Sequence, residues 1–302
     1  MKKAIISGVS GFVGGNLARY LLEEGVCVIG LDKFKSQIKH ENFKFIPMEL
    51  SNIEQTVSGD LQNADVFYHF AWQGSAGAER NDTDLQLKNA QWTMEAIHFA
   101  KKVGCKRFVC AGSIMERETI AAALTPGNEP GLAYIYGSGK LVAHTMAMSV
   151  AANLGIELVW ALITNAYGAG EMSPRFVNST IRKILSGEKL QFTAGTQNYD
   201  FVYISDVAKA FYLLGENGKP FHEYVIGSGL AQPLRNFILE MKSSLAPNRD
   251  FIFGDVPFTG TNLDLSAFDC SDTETDTGFK ASVSFGEGVR KTMEWIKEMD
   301  EK

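Results

Sequence analysis

Apolar residues recur along this chain in two rhythms. Short runs of apolar residues bounded by turn residues read as buried strands. They cover Lys3 to Ser7, Val26 to Leu31, Phe43 to Met48, Asp65 to Phe70, Phe108 to Cys110 and Glu157 to Ile163. Between them the period lengthens to that of a helix. Asn16 to Glu24 repeats Leu17, Tyr20, Leu21 and Leu22, and longer helices are predicted over Leu85 to Val103 and around Ala133 to Thr145. Further on, Ser173 to Ser186 and Asp206 to Leu214 read as helices, and Gln191 to Thr193 as a short strand. The last helix, Gly288 to Met299, has Val289, Met293, Trp295 and Ile296 to bury.

Strands alternating with helices predict an α/β fold built on a doubly wound parallel sheet. Gly8-Val9-Ser10-Gly11-Phe12-Val13-Gly14 follows the first strand at once and leads into the first helix. Strand, glycine turn and helix in that order is a Rossmann-type dinucleotide context. The glycines let backbone approach a pyrophosphate, and the helix amino terminus favours its charge. The second strand ends at Asp32, where a carboxylate accepts hydrogen bonds from an adenosine ribose and repels a 2′-phosphate. That favours NAD, while Lys33 and Lys35 keep NADP open as the alternative. Ligands in such sheets sit beyond the carboxyl ends of the strands. Phe70-Ala71-Trp72-Gln73-Gly74 and Ala111-Gly112-Ser113 stand there. Asn89 is an asparagine inside a helix, where its propensity is poor, so it either reaches backbone groups near the site or is solvated.

Tyr136 and Lys140 lie four apart on a predicted helix and so share one face. The ammonium favours the ionised phenol, which suits proton exchange with an alcohol or sugar hydroxyl.

Composition narrows the partners. The chain has 302 residues, 45% of them hydrophobic and 21% charged, with a formal net charge of -6. This describes an ordinary globular protein, and the acidic balance argues against nucleic acid or an anionic membrane as partner. The apolar runs are too short to span a bilayer. The first of them reaches glycines too soon for a signal peptide, so a cytoplasmic location is expected. Cys27, Cys105, Cys110 and Cys270 form no C-x-x-C pair and no metal-spaced cluster, so they are expected to be reduced and mostly buried, with no metal site. There is no internal repeat and no low-complexity tract.

Taken in order, Gly8 to Gly14, Ser113 and Tyr136-x-x-x-Lys140 resemble the extended short-chain dehydrogenase/reductases, the NAD-dependent epimerase/dehydratase family that modifies nucleotide sugars. His69-Phe70-Ala71, Asn165-Ala166-Tyr167-Gly168 and the stretch Tyr199 to Ala208 are similar to further motifs of that family. The resemblance covers nearly the whole length. It implies Tyr136 as acid/base, Lys140 as its partner and holder of the nicotinamide ribose, and Ser113 as donor to the reacting oxygen. It implies cofactor contacts from Gly8, Gly11, Phe12, Val13, Gly14, Asp32, Lys33, Phe70, Ala71, Trp72, Asn89, Tyr136, Lys140 and Ile163. Substrate contacts are expected from Trp72, Gln73, Ser113, Asn165, Arg175, Gln191 and Tyr199. Residues 1–165, joined again by 196–226, would form the dinucleotide domain. Residues 166–195 and 227–302 would form a smaller substrate lobe. A homodimer packed through the helices at Leu85 to Val103 and Gly139 to Asn153 is implied as well, with the run Met146 to Ala152 as a candidate face.

Three departures qualify the resemblance. Ile114 and Met115 stand where the 4,6-dehydratases carry Asp and Glu, with Glu116 one step late, which argues against water elimination. Tyr199 stands where a phosphate-binding arginine often precedes the D-F-V segment. The later arginine of the carboxyl lobe has no counterpart in Asp255 to Gly260, so either Arg175, Lys183, Arg235 or backbone amides hold a pyrophosphate, or the substrate is not a standard nucleotide diphosphosugar. The expected activity is an NAD(P)-dependent oxidoreduction at sugar C4, foremost a 4-epimerase. A 4-ketoreductase of a nucleotide-linked 6-deoxy sugar is the alternative, and a non-catalytic, cofactor-sensing regulator is the reading from another class.

Overall fold

The computed structural model describes residues 1–56 and 58–301. In chain order the first half runs β1 (Lys3–Ser7), α1 (Phe12–Glu23), β2 (Cys27–Asp32), β3 (Phe43–Pro47), β4 (Val66–His69), α2 (Thr83–Lys102), β5 (Arg107–Ser113), α3 (Met115–Leu124), α4 (Tyr134–Leu154) and β6 (Glu157–Ile163). The second half runs β7 (Asn165–Tyr167), α5 (Phe176–Ser186), β8 (Leu190–Phe192), β9 (Asn198–Tyr199), β10 (Phe201–Tyr203), α6 (Ile204–Asn217), β11 (His222–Ile226), β12 (Gln232–Pro233), α7 (Leu234–Leu245), β13 (Phe251–Phe253), α8 (Ser271–Thr277) and α9 (Phe285–Asp300).

Seven strands form one sheet in the order β11-β6-β5-β4-β1-β2-β3, every pair parallel. The doubly wound fold read from the apolar rhythm is therefore present. The strand runs are nearly continuous because both faces of the sheet are covered. Ala4 and Ile6 of β1 pack into a core with Leu17 and Leu21 of α1 and Phe211 of α6. Ile5, between them, packs into the opposite core with Ala96 and Ile97 of α2 and Ala143 and Ala147 of α4. Fully burying each leucine, isoleucine or phenylalanine among these contributes about 1.5–3 kcal/mol.

Local signals set the element ends. Asp82 caps α2 by accepting from the Leu85 amide at 3.0 Å. Gly155, in the left-handed region, ends α4. Two differences from the sequence reading affect the site. Helix α1 begins at Phe12 rather than Asn16, so its amino terminus lies inside the glycine motif. Helix α3, whose mixed sequence shows little apolar rhythm, follows directly after Ser113.

The carboxyl-terminal segments dock through two buried aspartates of the stretch Tyr199 to Ala208. Asp200 accepts hydrogen bonds from the Ser228 amide at 2.8 Å and from its hydroxyl. Asp206 accepts from Ser282 Oγ at 2.8 Å and from the amides of Ser282 and Val283 at 3.1 and 3.0 Å. Short strand pairs complete this part: β7 with β10, β9 with β12 and β8 with β13.

Candidate active site

A cleft of about 760 Å³ runs along the carboxyl ends of the sheet strands. Its floor starts at Gly8, whose φ is +78° and which lies so close to Phe70 and Ala71 that a Cβ would sit 2.6 Å from the Ala71 amide nitrogen. Only glycine satisfies both conditions. The turn delivers the chain to Gly11, the cap of α1, which has no side-chain cap, so the first amides of the helix are open to a ligand. Gly8, Gly11, Phe12, Val13 and Gly14 all line the cleft.

Asp32 stands at the far side of this turn. Its carboxylate accepts from the Ser10 amide and the Phe34 amide, each at 3.0 Å. These bonds fix the carboxylate and leave acceptor capacity for a diol. Lys33, Phe70, Ala71, Trp72, Gln73 and Ile163 also line the cleft.

Tyr136 and Lys140 lie on the buried face of α4. Gly137 beside them brings α4 against α3, since a Cβ there would meet the Thr119 hydroxyl and the Met115 carbonyl. Lys140 Nζ donates to the Ala111 carbonyl at 2.8 Å and stands 3.7 Å from the centre of the Trp72 ring. Trp72 is fixed in turn by its indole N–H, which donates to Gln86 Oε1 at 2.7 Å, and it meets Tyr136 edge to face. Ser113, at the end of β5, donates its amide to Glu116 Oε1 at 2.9 Å, and its hydroxyl oxygen accepts from the Met115 amide at 3.2 Å.

A side pocket of about 290 Å³ opens from the cleft. Both spaces are lined by Ser113, Tyr136, Thr164, Ala166 and Arg175. The side pocket adds Arg80, Glu118, Asn165 and Tyr199. Burial pushes the Tyr199 phenol up to about 12, so it offers a neutral hydroxyl. Burial likewise pushes Glu118 up to about 7, with Arg80 opposing.

Two residues expected at the site, Asn89 and Gln191, line neither space. Asn89 is fully buried behind the cleft, and both ends of its amide are used by Gln73: it accepts from the Gln73 amide at 2.9 Å and donates to the Gln73 carbonyl at 2.8 Å. It therefore fixes the Trp72–Gly74 loop and does not line the cleft. Gln191 is exposed and donates to Asp255 at 2.7 Å, away from both spaces. In β8 the alternation of strand side chains turns Leu190 and Phe192 inward and Gln191 outward. Of the three cations considered for a pyrophosphate, Arg175 lines both spaces, whereas Lys183 and Arg235 line neither. Arg235 lies over the Phe253 ring at 3.9 Å.

Glu116 is turned into the core. It accepts from Ser113 and from the Trp160 indole N–H at 3.2 Å, and it bonds His144 Nδ1 at 2.9 Å. His69 is a buried structural residue between Ser7 Oγ at 2.8 Å and Thr93 Oγ1 at 3.3 Å. Burial, with the Lys140 charge nearby, pushes its pKa down to about 3.

Fold and site together define a doubly wound α/β protein with a tyrosine, a lysine and a serine gathered at the junction of two spaces. The chain belongs to the NAD dependent epimerase/dehydratase family, whose match spans residues 4–227. It is similar to UDP-glucuronate 4-epimerase of Thermodesulfobacterium geofontis, 23% identical over 320 residues, covering 97% of this chain and 96% of that protein. Among solved structures it resembles the UDP-N-acetylglucosamine 4-epimerase of Methanobrevibacter ruminantium in complex with UDP-N-acetylmuramic acid, with TM-score 0.82, 20% identity and 99% of each chain covered. It also resembles UDP-glucuronic acid 4-epimerase of Bacillus cereus in complex with NAD, with TM-score 0.77, 20% identity, and 98% and 99% coverage.

Proposed function

We propose that this protein is an NAD-dependent nucleotide-sugar 4-epimerase. The observation that carries the reading is the position of Tyr136 and Ser113 on the wall shared by the cofactor-sized cleft and the side pocket. The residues present suit NAD. The open amides of α1 and the approach at Gly8 fit a pyrophosphate, and the fixed Asp32 carboxylate fits an unphosphorylated ribose. Lys140, Trp72 and Ile163 would border the nicotinamide end. Bound there, NAD supplies the reversible hydride chemistry at sugar C4.

The chain's own groups handle the oxygen and its proton. Tyr136 Oη accepts the proton of the C4 hydroxyl, and Ser113 Oγ donates to the same oxygen as charge develops. Lys140, held by the Ala111 carbonyl, keeps a positive charge beneath this exchange. Returning the proton reverses each role. Gln73, Asn165, Arg175 and Tyr199 would hold the sugar nucleotide, and the side pocket is the space in which the sugar ring turns. Ile114 and Met115 after Ser113, with Glu116 buried, supply no acid–base pair for a 4,6-elimination.

The same reading places the protein in the cytoplasm as a homodimer packed through α2 and α4. Leu87 and Met146 are exposed there, whereas Ala147 and Ala151 are already buried within the chain. A monomer by light scattering would contradict the dimer. No helix among the described residues is long and apolar enough to cross a membrane.

The test is to identify nucleotide released from the denatured protein, then follow C4 inversion of UDP-sugars by NMR without added reductant. Bound NAD and an inverted product are expected. Turnover only with stoichiometric NADH or NADPH would make the protein a ketoreductase instead.

A further inference from the structure

Among the described residues, one cation in the side pocket forms no ion pair, Glu118 acting on it only from a distance. Arg80 sits on the short helical turn Ala78–Asn81 that follows the Trp72–Gly74 loop. Its guanidinium carbon lies 4.5 Å from the centre of the Tyr136 ring, and its Nε is buried with no hydrogen-bond partner. Among the described residues it takes part in no ion pair. Arg175, the other arginine of the pocket, is exposed and lies 3.6 Å from Glu171. A guanidinium has five N–H donors in a fixed fork suited to carboxylate oxygens. One held in a pocket beside the acid/base, with an unpartnered Nε and no paired carboxylate, is a receptor for an anion.

Resting on the reading of the protein as a C4 enzyme of nucleotide sugars, we propose that Arg80 selects the substrate by binding a carboxylate carried on the sugar ring next to the reacting carbon. Tyr136 Oη addresses the C4 oxygen, so the arginine stacked on the face of that ring lies beside C4. Of the two ring carbons next to C4, C3 bears a hydroxyl and C5 bears C6, which in a uronic acid is a carboxylate and so the anionic group within reach. The diphosphate leaves the ring from C1, on the opposite side. Glu118 lines the same pocket, and because burial raises its pKa to about 7 it is largely protonated in mildly acidic solution. In that state it offers a donor to the sugar and competes little for Arg80. The substrate class assigned is therefore a nucleotide-linked uronic acid.

The test compares UDP-glucuronate with UDP-glucose by calorimetry on the NAD-loaded protein and on its Arg80→Gln and Arg80→Lys variants. The wild type should prefer UDP-glucuronate by about 10-fold or more. Arg80→Gln should lose roughly 10–100-fold for UDP-glucuronate, the worth of a charged hydrogen bond, and change less than about 3-fold for UDP-glucose. Arg80→Lys should keep part of the preference. Equal losses for both sugars, with the melting temperature unchanged, would place Arg80 on the diphosphate and overturn the proposal. A wild type that prefers UDP-glucose would overturn it too, leaving the epimerase reading intact. Binding of neither sugar by NAD-loaded protein would overturn both.

Discussion

Lys140 is clamped between a carbonyl and an indole: its Nζ donates to Ala111 at 2.8 Å and faces the Trp72 ring at 3.7 Å. The ring's negative face stabilises the ammonium, and Gln86 fixes the ring in turn. In the proposed mechanism Trp72 acts on the proton exchange through Lys140. A cation–π contact of about 0.5–2 kcal/mol predicts that Trp72→Leu lowers kcat by roughly 2–30-fold. The cofactor-binding constant, followed by nucleotide retention, should weaken as well. Unaltered kcat would show that the clamp has no part in turnover.

Glu116 gathers three partners from separate elements: the Ser113 amide, the Trp160 indole and His144. Glu116→Ala leaves these buried groups unpaired, at about 1–3 kcal/mol per unsatisfied group. A fall in melting temperature on the order of 5 °C is expected. Glu116→Gln should recover part of it, because an amide oxygen still accepts from Ser113.

Buried His69 and half-buried Glu118 set opposite pH dependences. The Glu118 pKa is raised from 4.5 to about 7, so its folded form holds a proton that the unfolded chain releases sooner. The stability it contributes is complete below about 4.5 and is lost as pH rises to about 7. The His69 pKa is lowered from 6.5 to about 3, so its contribution is complete above about 6.5 and is lost as pH falls to about 3. Thermal melts across pH 4–8 should therefore show Glu118→Gln flattening the loss on the alkaline side. A parallel shift of the whole profile would contradict the assignment.

Asp206 holds the segment before α9 through three hydrogen bonds. Asp206→Ala is expected to expose Ser282 and Val283 to faster amide exchange before the central sheet opens. Uniform exchange across the chain would contradict this local role.

Much of this was legible in the sequence because it is local. The strands of the sheet show as apolar runs since both faces are covered, and Tyr136 and Lys140 share a face by helical spacing alone. The outward turn of Gln191 also follows from strand alternation with Leu190 and Phe192, and the family likeness obscured it. What was not legible depends on distant partners. Glu116 is buried because His144 and Trp160 meet it across the fold. Asn89 reaches Gln73 only once α2 packs behind the β4 loop. Arg80 belongs to no periodic pattern, and its role rests on the Tyr136 ring beneath it.

The most direct test of the central claim is the turnover of Tyr136→Phe with its bound NAD measured in the same preparation. Removing the hydroxyl should leave NAD content unchanged and lower C4 inversion by about 10²–10⁴-fold, the usual contribution of a positioned acid/base. Inversion at the wild-type rate with NAD still bound would show that Tyr136 does not move the proton, and would contradict the account.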